Sequence, residues 1–459
     1  MVPNSYVFPR EPIMLGKTPR QQAIVIGGSI AGMLSAKVLS AYFEEVLIVE
    51  RDSIPNNAAE RKGVPQSPQP HILLTQGYRL LEGFFPGLGN DLLAAGAVPI
   101  DWGKDFQYYA FGDWGATHEP GTDLKSFSCT RPLLESCIRQ HVDKLSNVKR
   151  LSPYRVDALE GSVETVTGVR CHHTQDKHDV RSLQANLVVD ASGRSSNALK
   201  WLAALGSQVP KSETIDAGLG YATGRYRLPE HWDGGWKVLL IAHAPPDNHQ
   251  LGYLARMENN ELIATLGGYC KQYPPLSQEA FLETAKQLPA PAFYKTIAQA
   301  TPASKIKAYR STANKIRHYE ALEQQPNGFI AIGDAVCALC PAYGQGLTTS
   351  AMSAGILHSW LTKAVEKDKP LAPRVFQKQL AKKIKPAWDV ATQSDSGFID
   401  IKNQPKKSPV ARLLNGYMNR LIKKSHTNSE LTIELTKISH MVDLPIKLFH
   451  PKILLKVLS

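Results

Sequence analysis

The stretch that decides the fold is residues 23–51, AIVIGGSIAGMLSAKVLSAYFEEVLIVER. An apolar run from Ala23 to Ile26 meets a glycine-rich turn, and a helix of small residues follows from about Ala31 to Tyr42. A second apolar run, Val46 to Val49, ends at Glu50. This is the order of a βαβ unit, so the stretch predicts two parallel strands joined by a helix.

The turn itself reads GGSIAG, a glycine fingerprint in which Ser29 replaces the middle glycine. Gly27 lets the chain turn sharply off the strand, Gly32 lets the helix pack close to the sheet, and the N–H groups at the helix start face a pyrophosphate. Glu50, at the end of the second strand, is placed to accept both ribose hydroxyls of an adenosine and to repel a 2′-phosphate. The pattern favours FAD or NAD over NADP, and an ordinary tight turn is the alternative interpretation.

Composition narrows the class of protein. The chain has 459 residues with ordinary apolar and charged fractions, which indicates a globular enzyme of two or three domains. Residues 1–20, interrupted by Pro3, Pro9 and Pro12, predict a surface arm rather than a secretory signal. No apolar run is long enough to predict a membrane-spanning helix. We therefore expect a cytoplasmic protein.

Cysteine usage predicts neither disulfides nor a metal site. The six cysteines are scattered, as expected for a reducing compartment. Cys337 and Cys340 form a lone CxxC without a second pair, and we interpret them as small buried thiols beside a turn.

The net charge of +12 is concentrated in the C-terminal residues 402–459, which hold eleven basic and three acidic side chains. No nucleic-acid recognition motif accompanies them, so we expect no nucleic-acid partner. Between Val410 and Ile422 apolar residues recur at the spacing of one amphipathic helix. Two alternatives stay open: this tail packs on the enzyme body, or it makes peripheral contact with the inner face of an anionic membrane and admits a lipophilic substrate.

Two further segments resemble the first. The apolar run Leu187 to Val189 delivers Asp190 and then a Ser-Gly-Arg turn into a helix, which indicates a second anion cradle. Residues 328–353 show a strand, the pair Gly333-Asp334, and Gly344-Gln345-Gly346 at the start of a helix. Asp334 can hold a ribityl hydroxyl, and the helix start would face the flavin N1 and C2 oxygen.

These three segments, with GGSIAG, DASGR and PAYGQG in this order, resemble the FAD-dependent monooxygenases related to para-hydroxybenzoate hydroxylase. The motifs RKGVPQ, HILL, TRPLLE and LKWLAALG bring the chain closest to the polyether and polyketide epoxidases typified by the lasalocid epoxidase. The resemblance implies an α/β fold with a GR2-type, Rossmann-like FAD-binding domain, an inserted mixed β-sheet substrate domain and a helical C-terminal region. It implies FAD contacts at Gly27, Gly28, Ser29, Gly32, Glu50, Arg51, Arg131, Asp334, Gly344 and Gly346.

The expected domain division follows from the same segments. It places an N-terminal arm at 1–20 and a discontinuous FAD-binding domain at 21–104, 129–212 and 310–365. The β-sheet substrate domain takes 105–128 and 213–309, which are rich in strand patterns. A basic helical region completes the chain at 366–459.

The resemblance implies a monooxygenase, a hydroxylase or epoxidase, that transfers one oxygen atom from O2 to a hydrophobic polyketide, isoprenoid or aromatic substrate through a flavin C4a-hydroperoxide. Arg61 and His71 are the candidate catalytic side chains, with a purely structural role as the alternative. The electron donor is NAD(P)H, either directly or through a separate flavin reductase, because Asp190-Ala191-Ser192-Gly193 stands where the aromatic hydroxylases carry Asp-Gly.

Three other functions stay open. Halogenases share GGSxAG, but the chain lacks their WxWxIP signature. A reductase or dehydrogenase of an isoprenoid, similar to the geranylgeranyl reductases, would share the fold and all three segments. A flavin-carrying membrane-surface protein without turnover would account for the basic tail.

Overall fold

The computed structural model describes residues 21–55, 57–118, 121–244, 248–398 and 409–458, the side chains of 409–412 excepted. The predicted N-terminal arm and residues 399–408 of the tail lie outside the described residues. The strands, in chain order, are β1 (Gln22–Ile26), β2 (Glu45–Val49), β3 (Val98–Asp101), β4 (Phe106–Ala110), β5 (Asp113–Trp114), β6 (Lys125–Ser128), β7 (Val148–Leu151), β8 (Tyr154–Gly161), β9 (Val166–His173), β10 (Val180–Gln184), β11 (Leu187–Asp190), β12 (Ser212–Ile215), β13 (Gly220–Arg227), β14 (Val238–Ile241), β15 (Gln250–Arg256), β16 (Glu261–Gly268), β17 (Thr301–Pro302), β18 (Lys307–Tyr309), β19 (Asn314–Arg317), β20 (Phe329–Ala331) and β21 (Cys337–Ala338).

The α-helices lie mainly in the first and last thirds of the chain. They are α1 (Ile30–Leu39), α2 (Thr75–Phe84), α3 (Leu88–Ala94), α4 (Arg131–Asp143), α5 (Ala198–Ala204), α6 (Gln278–Lys286), α7 (Ala292–Ala298), α8 (Gly346–Glu366), α9 (Pro373–Ser396), α10 (Pro409–Ser425), α11 (Ser429–Ser439) and α12 (Pro451–Leu458).

The centre of the molecule is a five-stranded parallel sheet in the order β20-β11-β1-β2-β7. Its strands are short continuous apolar runs because both faces are covered, and Ile24, Val188 and Ile330 are fully buried. All five strands run the same way, so the three sequence segments singled out above end at one edge of this sheet. Ligands bind at such an edge in doubly wound folds.

A second, eight-stranded sheet, here called the platform, has the order β17-β13-β16-β15-β14-β4-β5 with β18 paired to β13. Its strands lie within 105–128 and 213–309, the residues of the expected β-sheet substrate domain. Successive side chains along each strand point to opposite faces of the sheet. One face packs under α6 and α7 through Phe281 and Phe293. The other carries Tyr221 and Leu251, which pack against Cys340 of the third segment. The platform therefore faces the parallel-sheet edge.

The C-terminal region is helical, as expected, and its first helix is part of the main core. Phe376 and Leu380 of α9 are fully buried with the parallel sheet, and Gln377 Nε2 donates a hydrogen bond to the Ala331 carbonyl of β20 at 2.9 Å. The predicted amphipathic helix is present as α10. Within the described residues, no helix combines the length and apolarity needed to cross a membrane.

Candidate cofactor and active site

The first turn is built so that only glycine fits at its two ends. Gly27 has φ of 101°, and a Cβ there would lie 2.8 Å from the Ala191 carbonyl oxygen of the neighbouring strand. A Cβ at Gly32 would lie 1.8 Å from the Gly27 carbonyl oxygen. The backbone of the turn therefore approaches both β11 and α1 closely, which leaves the start of α1 open to an anion.

Glu50 closes this turn from the end of β2. It is buried, and its Oε2 accepts the Gly28 N–H at 2.6 Å while its Oε1 accepts the Asp52 N–H at 2.9 Å. The carboxylate lines an open cavity together with Arg51, Ser192 and Trp201. Carboxylate oxygens carry more than one lone pair, so Glu50 retains the capacity to accept ribose hydroxyls in this cavity.

A buried ionic network stands behind the turn. Arg61 forms ion pairs with Glu135, with Asp52 at 3.4 Å and with Glu50 at 3.5 Å. Burial opposes the charge on Arg61, but the three carboxylates outweigh it and raise its pKa. The pKa of Glu135 is lowered despite its burial, because Arg131 and Arg61 lie beside it. Arg61 thus sits beside the predicted ribose and pyrophosphate positions.

The Ser29 hydroxyl joins this network to the turn. It donates to Glu135 Oε2 at 2.9 Å and accepts from Arg131 Nη2 at 3.0 Å. Glycine at this position would remove both contacts. The departure from the glycine fingerprint therefore fixes α4 against the start of α1.

Arg131 is the residue that fits the FAD pyrophosphate. Burial lowers its pKa, with Glu135 and Asp334 acting in the opposite direction. Its Nε is buried, 3.5 Å from Glu135 Oε2 in an ion pair, and makes no hydrogen bond to any described residue. A phosphate oxygen at the start of α1 would satisfy this donor and add to the charge that stabilises the guanidinium.

The second segment is hydrogen-bonded to the third through the Arg194 side chain. Asp190 is fully buried at the end of β11 and accepts hydrogen bonds from Ser192 and Ser196. The Arg194 guanidinium donates to the carbonyls of Ala313 and Leu339, the latter at 2.9 Å. These contacts position the loop that leads to Gly344.

The third segment holds groups that fit a flavin. Burial raises the pKa of Asp334, while Arg194, Arg131 and Arg317 counteract this. The described residues donate no hydrogen bond to its carboxylate, as suits an acceptor for a ribityl hydroxyl. Gly344 has φ of 65°, and a Cβ at Gly346 would meet nothing within 4 Å, so the start of α8 faces open space. Gln345 Oε1 and Thr348 Oγ1 are buried there without a partner among the described residues.

The candidate His71 lies in the same area. Its Nδ1 is 2.8 Å from the Gln69 carbonyl oxygen, and burial together with nearby Arg131 lowers its pKa to about 3. The ring is therefore neutral, with Nδ1 donating to the carbonyl and Nε2 left as an acceptor. Its neighbour Ile72 packs 3.2 Å from the Cβ position of Gly344. His71 and Gly344 are thus brought together, while Arg61 lies with Glu50.

Four aromatic rings, here called the aromatic group, lie between the platform and the third segment: His243, Tyr269, Tyr343 and Phe398. The Tyr269 and Phe398 rings stack at 4.0 Å, and the His243 ring is 4.7 Å from Tyr269. Burial lowers the pKa of His243 to about 4, so this ring is neutral. Tyr343 directly precedes Gly344, which places the group beside the start of α8.

Sequence patterns did not indicate all of these residues. Glu135 is four residues after Arg131 on one helix face, a spacing that marks an ion pair but not its role. No sequence pattern pointed to Asp395, which accepts a hydrogen bond from the Tyr343 hydroxyl.

Cys337 and Cys340 are both buried free thiols, and burial raises the pKa of each.

A family model described as "FAD binding domain" matches residues 20–370. The chain belongs to the FAD binding domain family. It is an FAD-dependent oxidoreductase, and all three segments lie within the matched residues. One family relative, Protein Rv3254 of Mycobacterium tuberculosis, is 31% identical over 395 residues, which covers 84% of this chain and 82% of that protein.

Solved structures share the fold of this FAD binding domain protein at low identity. The flavin-dependent brominase Bmp2 superposes with a TM-score of 0.63 at 12% identity, covering 88% of this chain and all of the brominase. The p-nitrophenol 4-monooxygenase PnpA of Pseudomonas putida DLL-E4 has a TM-score of 0.63 at 17% identity, covering 91% of this chain and 97% of that one. Both are related to this chain by fold.

Proposed function

We propose that this oxidoreductase is a monooxygenase that inserts one oxygen atom from O2 into a hydrophobic polyketide, isoprenoid or aromatic substrate, by hydroxylation or epoxidation. The observation that carries the proposal is the position of the aromatic group, partly to fully buried and uncharged, beside the start of α8. Stacked rings exclude water and offer dispersion contacts to a lipophilic substrate. Such a setting suits transfer of oxygen to an electron-rich double bond or ring.

The residues of the three segments would hold FAD along one line. Glu50 would accept the ribose hydroxyls, Arg131 and the start of α1 would bind the pyrophosphate, and Asp334 would accept a ribityl hydroxyl. The start of α8 would place its positive end at the flavin pyrimidine. Bound FAD would supply the activation of O2, and the protein would supply orientation and a dry enclosure.

The electron donor in this proposal is NAD(P)H, used directly or through a separate flavin reductase. The second route is supported by Asp190, whose carboxylate is fully buried and already accepts from Ser192 and Ser196. Because its oxygens are already hydrogen-bonded and shielded from solvent, the Asp190 carboxylate is poorly placed to bind a nicotinamide nucleotide. The substrate class is supported by the resemblance to polyether and polyketide epoxidases and by the aromatic group.

One experiment tests reaction class and donor together. FAD-loaded protein is mixed anaerobically with NADH or NADPH, with and without an added flavin reductase, and flavin bleaching is followed. The reduced protein is then exposed to labelled O2 with a panel of isoprenoid, polyketide and aromatic alkenes. We expect one labelled oxygen atom in a product and substrate-dependent consumption of O2.

Other outcomes distinguish the alternatives. Reduction of a substrate double bond without O2 consumption would replace the monooxygenase with an isoprenoid reductase. A brominated product formed only with bromide would indicate a halogenase. Flavin that no donor reduces, with or without reductase, would support a non-catalytic flavoprotein.

A further inference from the structure

The last three helices form a small unit with its own core. We call α10, α11, α12 and the connections between them, residues 409–458, the tail lobe. Its interior consists of buried apolar side chains from all three helices and from the turn before α12: Leu421, Leu431, Leu448, Ile453 and Val457. The lobe therefore has a fixed inside, so its outer face is defined as well.

The lobe is attached to the body through the end of α10, where the Ala116 N–H donates to the Ser425 carbonyl at 3.2 Å, and through α11 and the residues that follow it. His440 Nδ1 accepts the Thr75 N–H at 3.1 Å, and its ring packs on Trp102 at 4.4 Å. Ile433 and Val442 pack against the same core of the body. The lobe is thus anchored on one side. This supports the first alternative, packing on the body, for α11 and for the end of α10.

The outward side carries an unusual share of exposed apolar side chains. Of the fifteen large hydrophobic residues that are exposed in the described part of the chain, seven belong to the tail lobe, which is about a ninth of the sequence. They are Leu413, Leu414, Leu444, Ile446, Phe449, Leu455 and Leu458. Leu413, Ile446 and Leu455 are each more than 70% exposed. None of the seven lies on α11.

Contacts within the lobe bring these residues to one region. Phe449 stacks on Tyr417 of α10 at 5.2 Å, and Arg420, one turn further along α10, donates to the Leu458 carbonyl at 2.9 Å. The turn of Pro445–Phe449 and the end of α12 therefore flank the same stretch of α10. The exposed apolar residues are thus carried by three elements that contact one another, and together they are called the patch.

Basic side chains lie on the same three elements as the patch. Residues 409–458 contain eight Lys and Arg against three Asp and Glu, a local charge of +5. Lys447 and Lys456 pair with Asp443 and Glu430, whereas Arg420, Lys423 and Lys452 form no ion pair within the described residues. An apolar patch accompanied by positive charge is complementary to a surface of acyl chains under anionic headgroups.

We propose that the tail lobe docks in the plane of an anionic phospholipid bilayer, with Ile446, Leu455 and Leu458 at the level of the acyl chains and the unpaired basic residues at the headgroups. This goes beyond the proposed monooxygenase activity and does not depend on it. Docking would bring the enzyme body to the phase in which a lipophilic compound is concentrated.

The test uses the full-length FAD-loaded protein and sedimentation with two kinds of vesicle. One contains phosphatidylcholine and phosphatidylglycerol in equal parts, and the other contains phosphatidylcholine alone. We expect binding to the anionic vesicles at low salt, with a loss of about tenfold or more at high salt, because salt screens the basic residues.

Three double variants separate the contributions. Ile446→Ser with Leu455→Ser, and Lys423→Glu with Lys452→Glu, should each reduce binding to anionic vesicles by about tenfold or more. Leu93→Ser with Val180→Ser, exposed apolar residues on the body, should bind as the parent protein does. The visible FAD spectrum should be the same in all of them, which confirms that they fold.

Two results would overturn the proposal. The first is parent protein that stays in the supernatant with anionic vesicles at low salt. In that case the oligomeric state identifies the occupant: if the parent protein is a dimer and the double variant Ile446→Ser with Leu455→Ser is a monomer, a second copy of the chain covers the patch. The second is unchanged vesicle binding by both lobe variants, which would place the lipid contact elsewhere.

Discussion

The Asp395 carboxylate accepts a hydrogen bond from the Tyr343 hydroxyl at 2.6 Å, across 52 residues of sequence. Its other oxygen accepts from Asn314 Nδ2 at 2.6 Å, and Asn314 Oδ1 accepts the Cys340 N–H at 2.7 Å. Helix α9 thereby holds the loop of Pro341–Gly346 in place. Asp395 is a positioning residue for the start of α8.

Replacing Asp395 should weaken both the fold and the FAD site. Asp395→Ala leaves the Tyr343 hydroxyl and the Asn314 amide buried without an acceptor, so the free energy of unfolding should fall by about 2–4 kcal/mol. Urea unfolding and FAD titration measure the two effects. Asp395→Asn retains an acceptor oxygen and should recover part of the loss. Equal stability of Asp395→Ala and the exposed control Asp389→Ala would contradict the assignment.

The assignment of Glu50 to the ribose can be tested by charge reversal. Glu50→Arg removes the acceptor at the end of β2 and leaves the Gly28 N–H without its partner. It also places a second positive charge beside Arg61. We expect purified protein to retain much less FAD, read from the ratio of visible to ultraviolet absorbance. Circular dichroism controls for folding. A folded variant that keeps the FAD content of the parent would refute the assignment.

Asp334 provides a milder test at the other end of the cofactor. Asp334→Ala should weaken FAD binding by about 1–3 kcal/mol, the range for one lost buried hydrogen bond to a charged group. The measurement is the FAD dissociation constant by fluorescence quenching. Asp113→Ala, on the short strand β5, serves as the matched control. Equal affinities in the two variants would remove Asp334 from the site.

Ser29→Gly restores the glycine fingerprint and should nevertheless impair the site. The substitution deletes the hydroxyl between Arg131 and Glu135, so FAD affinity should fall by about 1 kcal/mol per lost contact. Ser35→Ala, which removes a hydroxyl bonded only to its own helix, should leave the affinity unchanged. Tighter FAD binding by Ser29→Gly would show that the bridge is dispensable.

The joint between lobe and body should depend on pH through His440. Burial lowers the pKa of His440 from 6.5 to about 3, so the folded protein keeps this ring neutral while the unfolded chain protonates it. Its contribution to stability is complete above pH 6.5 and is lost as the pH falls toward 3, at about 1.4 kcal/mol per unit.

The corresponding measurement compares urea unfolding at pH 7.5 and pH 5. The parent protein should lose about 2 kcal/mol more than His440→Asn over this interval. His178→Asn, at an exposed position, should lose as much as the parent. Identical losses in the parent and in His440→Asn would show that His440 is not the pH-dependent element of the joint.

The local parts of the fold and site could be predicted from the sequence. The order of β1, the Gly27 turn, α1 and β2 depends on neighbours in the chain, and so do the strand before Asp334 and the helix that starts at Gly346. The spacing of apolar residues likewise predicted α10. Each of these signals lies within about thirty residues, the range over which hydrophobic periods are legible.

The rest depends on contacts that no local pattern encodes. Ser29 meets Glu135 across 106 residues, and Asn314 meets Asp395 across 81. In the same way, the spacing of apolar residues in α10 showed that the helix has an apolar face but not which part of the chain packs against that face. That neighbour is set by the turn at Phe449 and the end of α12, which reach α10 only after the chain has folded back.

The hydrogen bond from Gln377 to Ala331 has a consequence for biosynthesis. The edge strand β20 pairs with β11, and α9 covers it, so the central sheet joins residues near 22 to residues near 331 and is completed by α9 near residue 377. A growing polypeptide cannot close this sheet, nor complete a grip on the flavin, until most of its length has left the ribosome. Cofactor loading is therefore expected late in synthesis, and nascent chains that stall earlier present unsealed strands to chaperones.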